Sequence, residues 1–341
     1  MNVKKRRIVY IGFAFDHHKN SLGGYHHIQK YLNYDLIINL QNEFDFPWFK
    51  KPKILSRVLK KFKSIISGKG TFFGILKVLY LNFKYEDLCF HFIYPENSYQ
   101  WLHLFLNKNK LVFTIHQPVE FYKTNRWKKI LKKVDLIICL KENQLEEIND
   151  STGKSNCIYI PHGINTNLLK RKKNKKNKKI LMVGNWLRDF SLANEVFCKI
   201  EIIDPTIEIV VVTNSENHRF FHGSKIKKLS NISNQELINL YNESSVLFCP
   251  LIDFTANNAI LEAAVLGCHI FIATNSEISS GNIPNNYATF CSLSTEKIVP
   301  LLIDKVLDYD YDSSEKLSSL IKKEFSWKAI SNKVYQSINK I

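Results

Sequence analysis

Four short stretches combine residue types suited to an anionic, hydroxyl-rich ligand. The first, Asp253-Phe-Thr-Ala-Asn-Asn-Ala-Ile-Leu-Glu262, runs on as Ala-Ala-Val-Leu-Gly267. It places two adjacent amides, Asn257 and Asn258, and one carboxylate at the head of an apolar helix. Asn257 suits the N-cap, Ile260, Leu261, Ala264 and Val265 form the apolar face, and Gly267 is the stop. The free N–H groups of the first turn favour an anion. Glu262 lies about one turn further on, and a buried carboxylate is costly without a partner; the hydroxyls of a bound ribose would supply one. The second stretch is Gly184-Asn-Trp-Leu-Arg188-Asp189, in which a glycine frees the backbone and a planar guanidinium offers a fork of donors suited to a diphosphate. A surface salt bridge between Arg188 and Asp189 is the plainer alternative. In the third, Thr114-Ile-His-Gln-Pro118, the proline ends an apolar run and leaves His116 at its tip, able to donate a hydrogen bond or act as a general base; a structural histidine is the alternative. In the fourth, the pair Gly23-Gly24 opens a helix-like segment and can present backbone N–H groups to a phosphate or sugar, or simply turn.

The elements that must position these groups alternate. Ile8 to Phe13, Leu36 to Asn39, Leu88 to Phe92, Leu111 to Ile115, Leu136 to Cys139 and Cys157 to Ile160 read as buried strands, with amphipathic segments such as Tyr25 to Leu32, Asn97 to Leu106 and Asn143 to Asn149 between them. The polar run Lys170-Arg-Lys-Lys-Asn-Lys-Lys-Asn-Lys-Lys179 reads as a linker. The pattern then restarts with strands at Ile180 to Gly184, Ile207 to Thr213, Val246 to Cys249 and His269 to Ala273, and with helices near Leu192 to Ile200 and Asn234 to Tyr241. This is the signature of parallel α/β layering in two units. A chain of 341 residues is also long enough for two domains. Each stretch follows a strand, where ligands of open α/β sheets sit.

In this order the pieces resemble the retaining glycosyltransferases of the GT-B fold, specifically glycosyltransferase family 4, over most of the chain. Tyr159-Ile-Pro-His-Gly-Ile-Asn165 resembles the family's Pro-Asn-Gly-Val/Ile-Asp segment, and Gly184 to Arg188 its donor-phosphate loop. Leu261-Glu-Ala-Ala-Val-Leu-Gly267 is similar to its Leu-Glu-Ala-Met-Ala-x-Gly helix, and Phe325-Ser-Trp327 to the start of its last helix. The resemblance implies two Rossmann-like domains facing across a central cleft: 1–168 on the acceptor side, a linker 169–179, a nucleotide-sugar domain 180–324, and a helix 325–341 that crosses back to the first domain. It implies transfer of a hexose from a nucleoside diphosphate sugar with retention, without a metal or other cofactor. In the family, two glutamates separated by seven residues flank a Gly-rich turn; the second binds the nucleotide ribose and the first a hydroxyl of the transferred sugar. Glu262 matches the second, but Phe254 stands eight residues earlier with Asp253 beside it, so the sugar-reading carboxylate is missing or shifted by one. Asn257 and Asn258 occupy the turn. His116 matches the strand-tip histidine near the transferred sugar, and Gly23-Gly24 the N-terminal Gly-rich loop. The pair Asp308 and Asp310, which looks like a metal motif, reads as a solvated loop.

Composition narrows the partners. With 45% hydrophobic and 23% charged residues the chain is globular, and its formal charge of +17 calls for something anionic. From Lys50 to Lys84 there are nine lysines, one arginine and no acid. Within it, Ile54, Leu55, Val58, Leu59, Phe62, Ile65 and Ile66 recur at helical spacing among the cations, so 53–66 reads as a cationic amphipathic helix for an anionic membrane surface. Packing on the domain core would use the same stripe. A membrane-associated glycan or lipid-linked acceptor, such as a polyprenyl diphosphate glycan or lipopolysaccharide core, would explain both this charge and the absence of a spanning segment. The expected location is cytoplasmic, peripheral on the inner face of the plasma membrane: the N-terminus has no signal-peptide pattern, and the seven scattered cysteines read as reduced core thiols. The lysine clusters lack the aromatic stacking and base-reading motifs that nucleic acid would require. A nucleotide-sugar 2-epimerase of the same fold and a non-catalytic glycan-assembly partner are the competing readings.

Overall fold

A computed structural model describes residues 6–14, 23–40, 72–99, 102–172, 176–253, 257–274, 283–284 and 287–341. Phe254 and the whole of 53–66 lie outside the described residues. The chain divides into two compact units. One takes its described residues from Met1–Lys19, Gly24–Ile160 and Ile330–Ile341, the other from Asn20–Gly23 and Pro161–Ala329.

In the first unit the strands are β1 (Arg7–Gly12), β2 (Leu36–Asn39), β3 (Leu88–Phe92), β4 (Lys110–Ile115), β5 (Leu136–Cys139) and β6 (Cys157–Tyr159). They form one sheet in the order β2-β1-β3-β4-β5-β6, parallel throughout. Between them lie α1 (Phe72–Lys84), α2 (Pro95–Ser98), α3 (Val119–Tyr122), α4 (Asn125–Leu131) and α5 (Gln144–Thr152), with 3₁₀ turns at Tyr25–Lys30 and Leu102–Leu104. The segment expected as a helix from Tyr25 is therefore a 3₁₀ turn, and the Asn97–Leu106 pattern is split between α2 and the second turn. Valine, isoleucine and phenylalanine dominate β1, β3 and β4 because both faces of a parallel sheet are covered.

In the second unit β7 (Asn177–Val183), β8 (Glu208–Val212), β9 (Ile226–Leu229), β10 (Ser244–Pro250), β11 (His269–Ala273) and β12 (Ala288–Cys291) form a sheet in the order β12-β11-β10-β7-β8-β9, again all parallel. The helices are α6 (Phe190–Ile203), α7 (Asn234–Glu243), α8 (Asn258–Val265), α9 (Thr295–Leu307), α10 (Tyr311–Glu324) and α11 (Trp327–Ile338). Successive strand residues point to opposite faces, and each face has its own core. Leu181, Val210, Leu247 and Ile270 pack with α8 and α10, while Met182, Val211, Phe248 and Phe271 pack with α6 and α9. Edge strands β9 and β12 were absent from the sequence reading; Ile-Lys-Lys-Leu and Ala-Thr-Phe-Cys lack the continuous run of large apolar residues that marks the central strands. From Ile330 onward α11 belongs with the first unit, where Ile330, Val334 and Ile338 are buried and Arg6 Nη1 donates to the Ile341 carbonyl at 2.7 Å.

The lysine-rich run departs from expectation at its end. β7 begins at Asn177, so its last three residues are strand and not linker. Lys179 Nζ reaches Glu208 at 3.2 Å and Glu243 at 2.7 Å. Lys176, also buried, donates to the Tyr241 and Leu266 carbonyls at 2.8 and 2.9 Å. Apart from the Lys179–Glu208 pair between neighbouring strands, these bonds span sixty or more residues of sequence, beyond the reach of local pattern. Asp310 accepts from Ser313 N at 2.9 Å and caps α10, as suits a loop residue.

Candidate functional site

The strand order of the second sheet reverses between β7 and β10, because β8 and β9 extend one way from β7 while β10 to β12 extend the other. Ligands bind beyond the carboxyl ends of the strands at such a switch point, where two diverging connections leave a crevice. Both chemistry-bearing stretches of this unit emerge there: Gly184 to Arg188 follows β7, and the segment leading to Asn257 follows β10.

The β7 loop folds a guanidinium back over its own backbone. Gly184 has φ +125°, and a Cβ there would stand 2.7 Å from Arg188 Nη2, so glycine is needed both for the turn and for the room. Leu187 is left-handed at φ 54° and turns Arg188 inward. Arg188 donates from Nη2 to the Val183 carbonyl at 3.2 Å and to Asn257 Oδ1 at 3.2 Å, and from Nη1 to the Trp186 carbonyl at 3.0 Å. Burial lowers its pKa, but an arginine remains charged. Among the described residues no carboxylate pairs with it. Asp189, the partner a surface salt bridge would need, instead accepts from Leu192 N at 2.9 Å as the N-cap of α6. The cation is held entirely by neutral acceptors.

Asn257 occupies the N-cap position of α8 but makes no side-chain cap; its Oδ1 is committed to Arg188. Its Nδ2 is buried and has no hydrogen-bond partner among the described residues. Asn258 opens the helix, and Gly23, which clusters with this unit, lies so near that a Cβ on it would stand 2.3 Å from Asn258 Nδ2. The far end of α8 closes as expected: Gly267, at φ +83°, donates to the Ala264 carbonyl at 3.2 Å and Cys268 to that of Ala263 at 2.8 Å.

Glu262 is buried one turn into α8, and its Oε2 accepts from Tyr241 Oη on α7 at 3.0 Å. Burial raises its pKa to about 7, with the tyrosine bond pulling the other way. Among the described residues Oε1 has no hydrogen bond. The sequence reading missed Tyr241 as a partner; it lies 21 residues away on another helix, and no local spacing signals it.

In the first unit His116 sits at the tip of β4. Its ring packs on Tyr94 at 4.4 Å and edge-on to Tyr25 at 5.1 Å. Its backbone N–H donates to Glu96 Oε1 at 2.5 Å, and Tyr122 Oη donates to the same oxygen. Burial raises the Glu96 pKa. Beneath the tip, His91 bridges Tyr34 Oη and Thr114 Oγ1, each at 2.8 Å, and burial lowers its pKa to about 3, which keeps it neutral. Gly24, at φ 119°, leads into the 3₁₀ turn, and Tyr25 N donates to Tyr94 Oη at 3.0 Å. Glu96 also escaped the sequence reading, although Tyr94-Pro95-Glu96 follows β3 as His116 follows β4, and the same strand-tip rule would have found it.

The structure thus brings Gly184, Arg188, Asn257, Asn258, Glu262 and Gly23 into the second unit, and keeps His116 and Gly24 in the first. It joins two other stretches for structural reasons. Ile164 N donates to the Phe325 carbonyl at 2.8 Å, Trp327 N to the Ile164 carbonyl at 3.1 Å, and the Trp327 ring covers Gly163 so closely that no Cβ would fit.

No family model and no curated protein sequence matches the chain. Solved structures do. Sucrose-phosphate synthase from Thermosynechococcus elongatus superposes with a TM-score of 0.73 at 13% identity, covering 98% of this chain and 99% of that one. A glycosyltransferase from Rickettsia africae ESF-5 gives a TM-score of 0.68 at 13% identity over 99% of both chains. Anabaena HepE, in a complex with UDP and glucose, gives 0.69 at 10% identity over 98% of this chain and all of the other. The fold is accordingly the GT-B arrangement of two parallel α/β units.

Proposed function

We propose that the chain is a glycosyltransferase that takes a hexose from a nucleoside diphosphate sugar and passes it, with retention, to a membrane-associated glycan or lipid-linked acceptor. The observation that carries donor binding is the Arg188 guanidinium at the β7/β10 switch point, held by carbonyls and an amide with no carboxylate to neutralise it. A diphosphate would supply the missing negative charge. Beside it stand the unpartnered Asn257 Nδ2 and the N-terminal turn of α8, whose amides add donors for phosphate oxygens. As the sugar–phosphate bond breaks, charge accumulates on the leaving diphosphate, and these preorganised donors stabilise it there. Glu262 Oε1 would accept from a ribose hydroxyl while Tyr241 holds Oε2. His116, fixed by Glu96 through its own N–H, would present its imidazole to the transferred sugar. Structural neighbours of similar fold support this reading: HepE is described with UDP and with UDP-glucose. Retention, the hexose and the acceptor rest on the sequence resemblance. No described helix is long and apolar enough to cross a membrane, so a lipid-linked acceptor would be met at the surface.

Isothermal titration with UDP, GDP and ADP, followed by incubation of the matching labelled sugar nucleotides with membrane extract, tests the proposal. One nucleotide should bind and its sugar should pass into lipid or glycan. Binding without transfer would favour a non-catalytic assembly partner, conversion of the sugar nucleotide without acceptor would favour an epimerase, and binding of none would end the donor assignment.

A further inference from the structure

The outward face of α1 is apolar. Ile75, Val78, Leu81 and Asn82 turn towards the core, while Leu76, Tyr80 and Phe83 recur at i, i+4 and i+7 on the solvent side with relative exposures of 39%, 55% and 62%. The 3₁₀ turn at Leu102–Leu104 meets α1 on its buried side, where Asn82 Nδ2 donates to the Phe105 carbonyl at 3.2 Å, and Leu104 and Phe105 are themselves 66% and 43% exposed. A contiguous exposed patch of large apolar side chains marks an interaction surface more often than a bare surface.

Its rim is cationic. Lys84 Nζ lies 3.0 Å from Tyr80 Oη and above the Tyr80 and Tyr85 rings, Lys133 Nζ donates to the His103 carbonyl at 3.1 Å, and Lys77 stands on α1 itself, which contains no acid. The nearest acids are already paired, Glu86 with Lys108 at 3.3 Å and Asp87 with Arg7 at 2.8 Å. The sequence leading into α1, from Lys50 onward, adds only positive charge. Lysines are depleted at protein–protein interfaces, whereas aromatic and aliphatic side chains rimmed by lysine suit the headgroup boundary of an anionic bilayer.

We infer that the outward face of α1 is a membrane-docking surface whose partner is an anionic lipid bilayer. Leu76, Tyr80 and Phe83 enter the headgroup boundary, while Lys77, Lys84 and Lys133 meet the lipid phosphates. Its residues are other than those of 53–66, to which the sequence assigned this contact, and it stands apart from the transferase proposal, because vesicle binding requires neither donor nor acceptor.

Flotation of the purified full chain with phosphatidylcholine vesicles, and with vesicles containing phosphatidylglycerol, tests it. The protein should float with the anionic vesicles only. Leu76→Ser, Tyr80→Ser and Phe83→Ser combined should reduce the bound fraction by about tenfold or more. Lys77→Glu with Lys84→Glu, which leaves the apolar side chains in place, should reduce it by about tenfold as well. If the serine variant melts abnormally, the charge variant decides. No flotation, flotation indifferent to lipid charge, or full binding by the folded variants would overturn the inference; the last would place the contact in another part of the chain.

Discussion

Two cations at opposite ends of β7 are treated by the fold in opposite ways. Lys179, near the amino end, faces Glu208 across the β7–β8 register and also reaches Glu243. Those carboxylates outweigh its burial, so its pKa is raised. Arg188, just beyond the carboxyl end, is half-buried among neutral acceptors, and its pKa is lowered by desolvation with no carboxylate among the described residues to offset it. At the amino end Lys179 is neutralised within the fold, whereas at the carboxyl end Arg188 has no carboxylate among the described residues, which is why a diphosphate is proposed there. A buried group marks a site only when its partners within the fold fall short of its charge.

The largest expected effect would break that contrast if it failed. Arg188→Ala should weaken binding of the recognised nucleoside diphosphate by about a hundredfold or more, because charge-assisted phosphate bonds are lost, and titration calorimetry would show it. Its thermal stability should stay close to that of the parent, since no ion pair is removed. Unaltered affinity would mean that the cation serves the fold alone.

Glu262 gives a pH-dependent test at the same site. Its pKa rises from an ordinary carboxylate value in the unfolded chain to about 7 in the folded one, so between these values the folded state retains a proton that the unfolded state has lost. Stability therefore falls as pH rises from about 4.5 to about 7, by roughly 3 kcal/mol, and is level above that. Glu262→Gln should remove this slope in denaturant midpoints measured across the range. Parallel curves for the two proteins would show that the carboxylate is not buried as described.

The smallest effect belongs to Lys179→Ala, which should cost about 1 kcal/mol in urea unfolding, because both glutamates are half-exposed and screened by water. It should leave nucleotide affinity unchanged. A loss of affinity comparable to that of Arg188→Ala would remove the distinction between the two ends.

Much of this was legible from the chain. Continuous apolar runs located the central strands because both faces of a parallel sheet demand apolar residues, and Gly267 announced the end of α8 because only glycine takes that turn without strain. The strand-tip rule pointed to Arg188, Asn257, Glu262 and His116. What escaped were partners distant in sequence: Tyr241 for Glu262, Glu96 for His116, and the carbonyls and carboxylates that draw Lys176 and Lys179 out of an apparent linker. The N-cap residue Asn257 was recognised by position, yet its side chain turns to Arg188, a choice made across 69 residues.

The sequence alone determined the layered α/β class, the positions of the central strands, and the residue types available at each strand tip, because these follow from periodicity and from the backbone demands of single residues. Tertiary structure alone decided the strand order that opens a crevice between β7 and β10. It also decided which charges are neutralised within the fold and which apolar stripe of α1 is left exposed among the described residues. Those outcomes depend on which distant residues share a neighbourhood, and the free energy of a buried charge or an exposed ring is set by that neighbourhood.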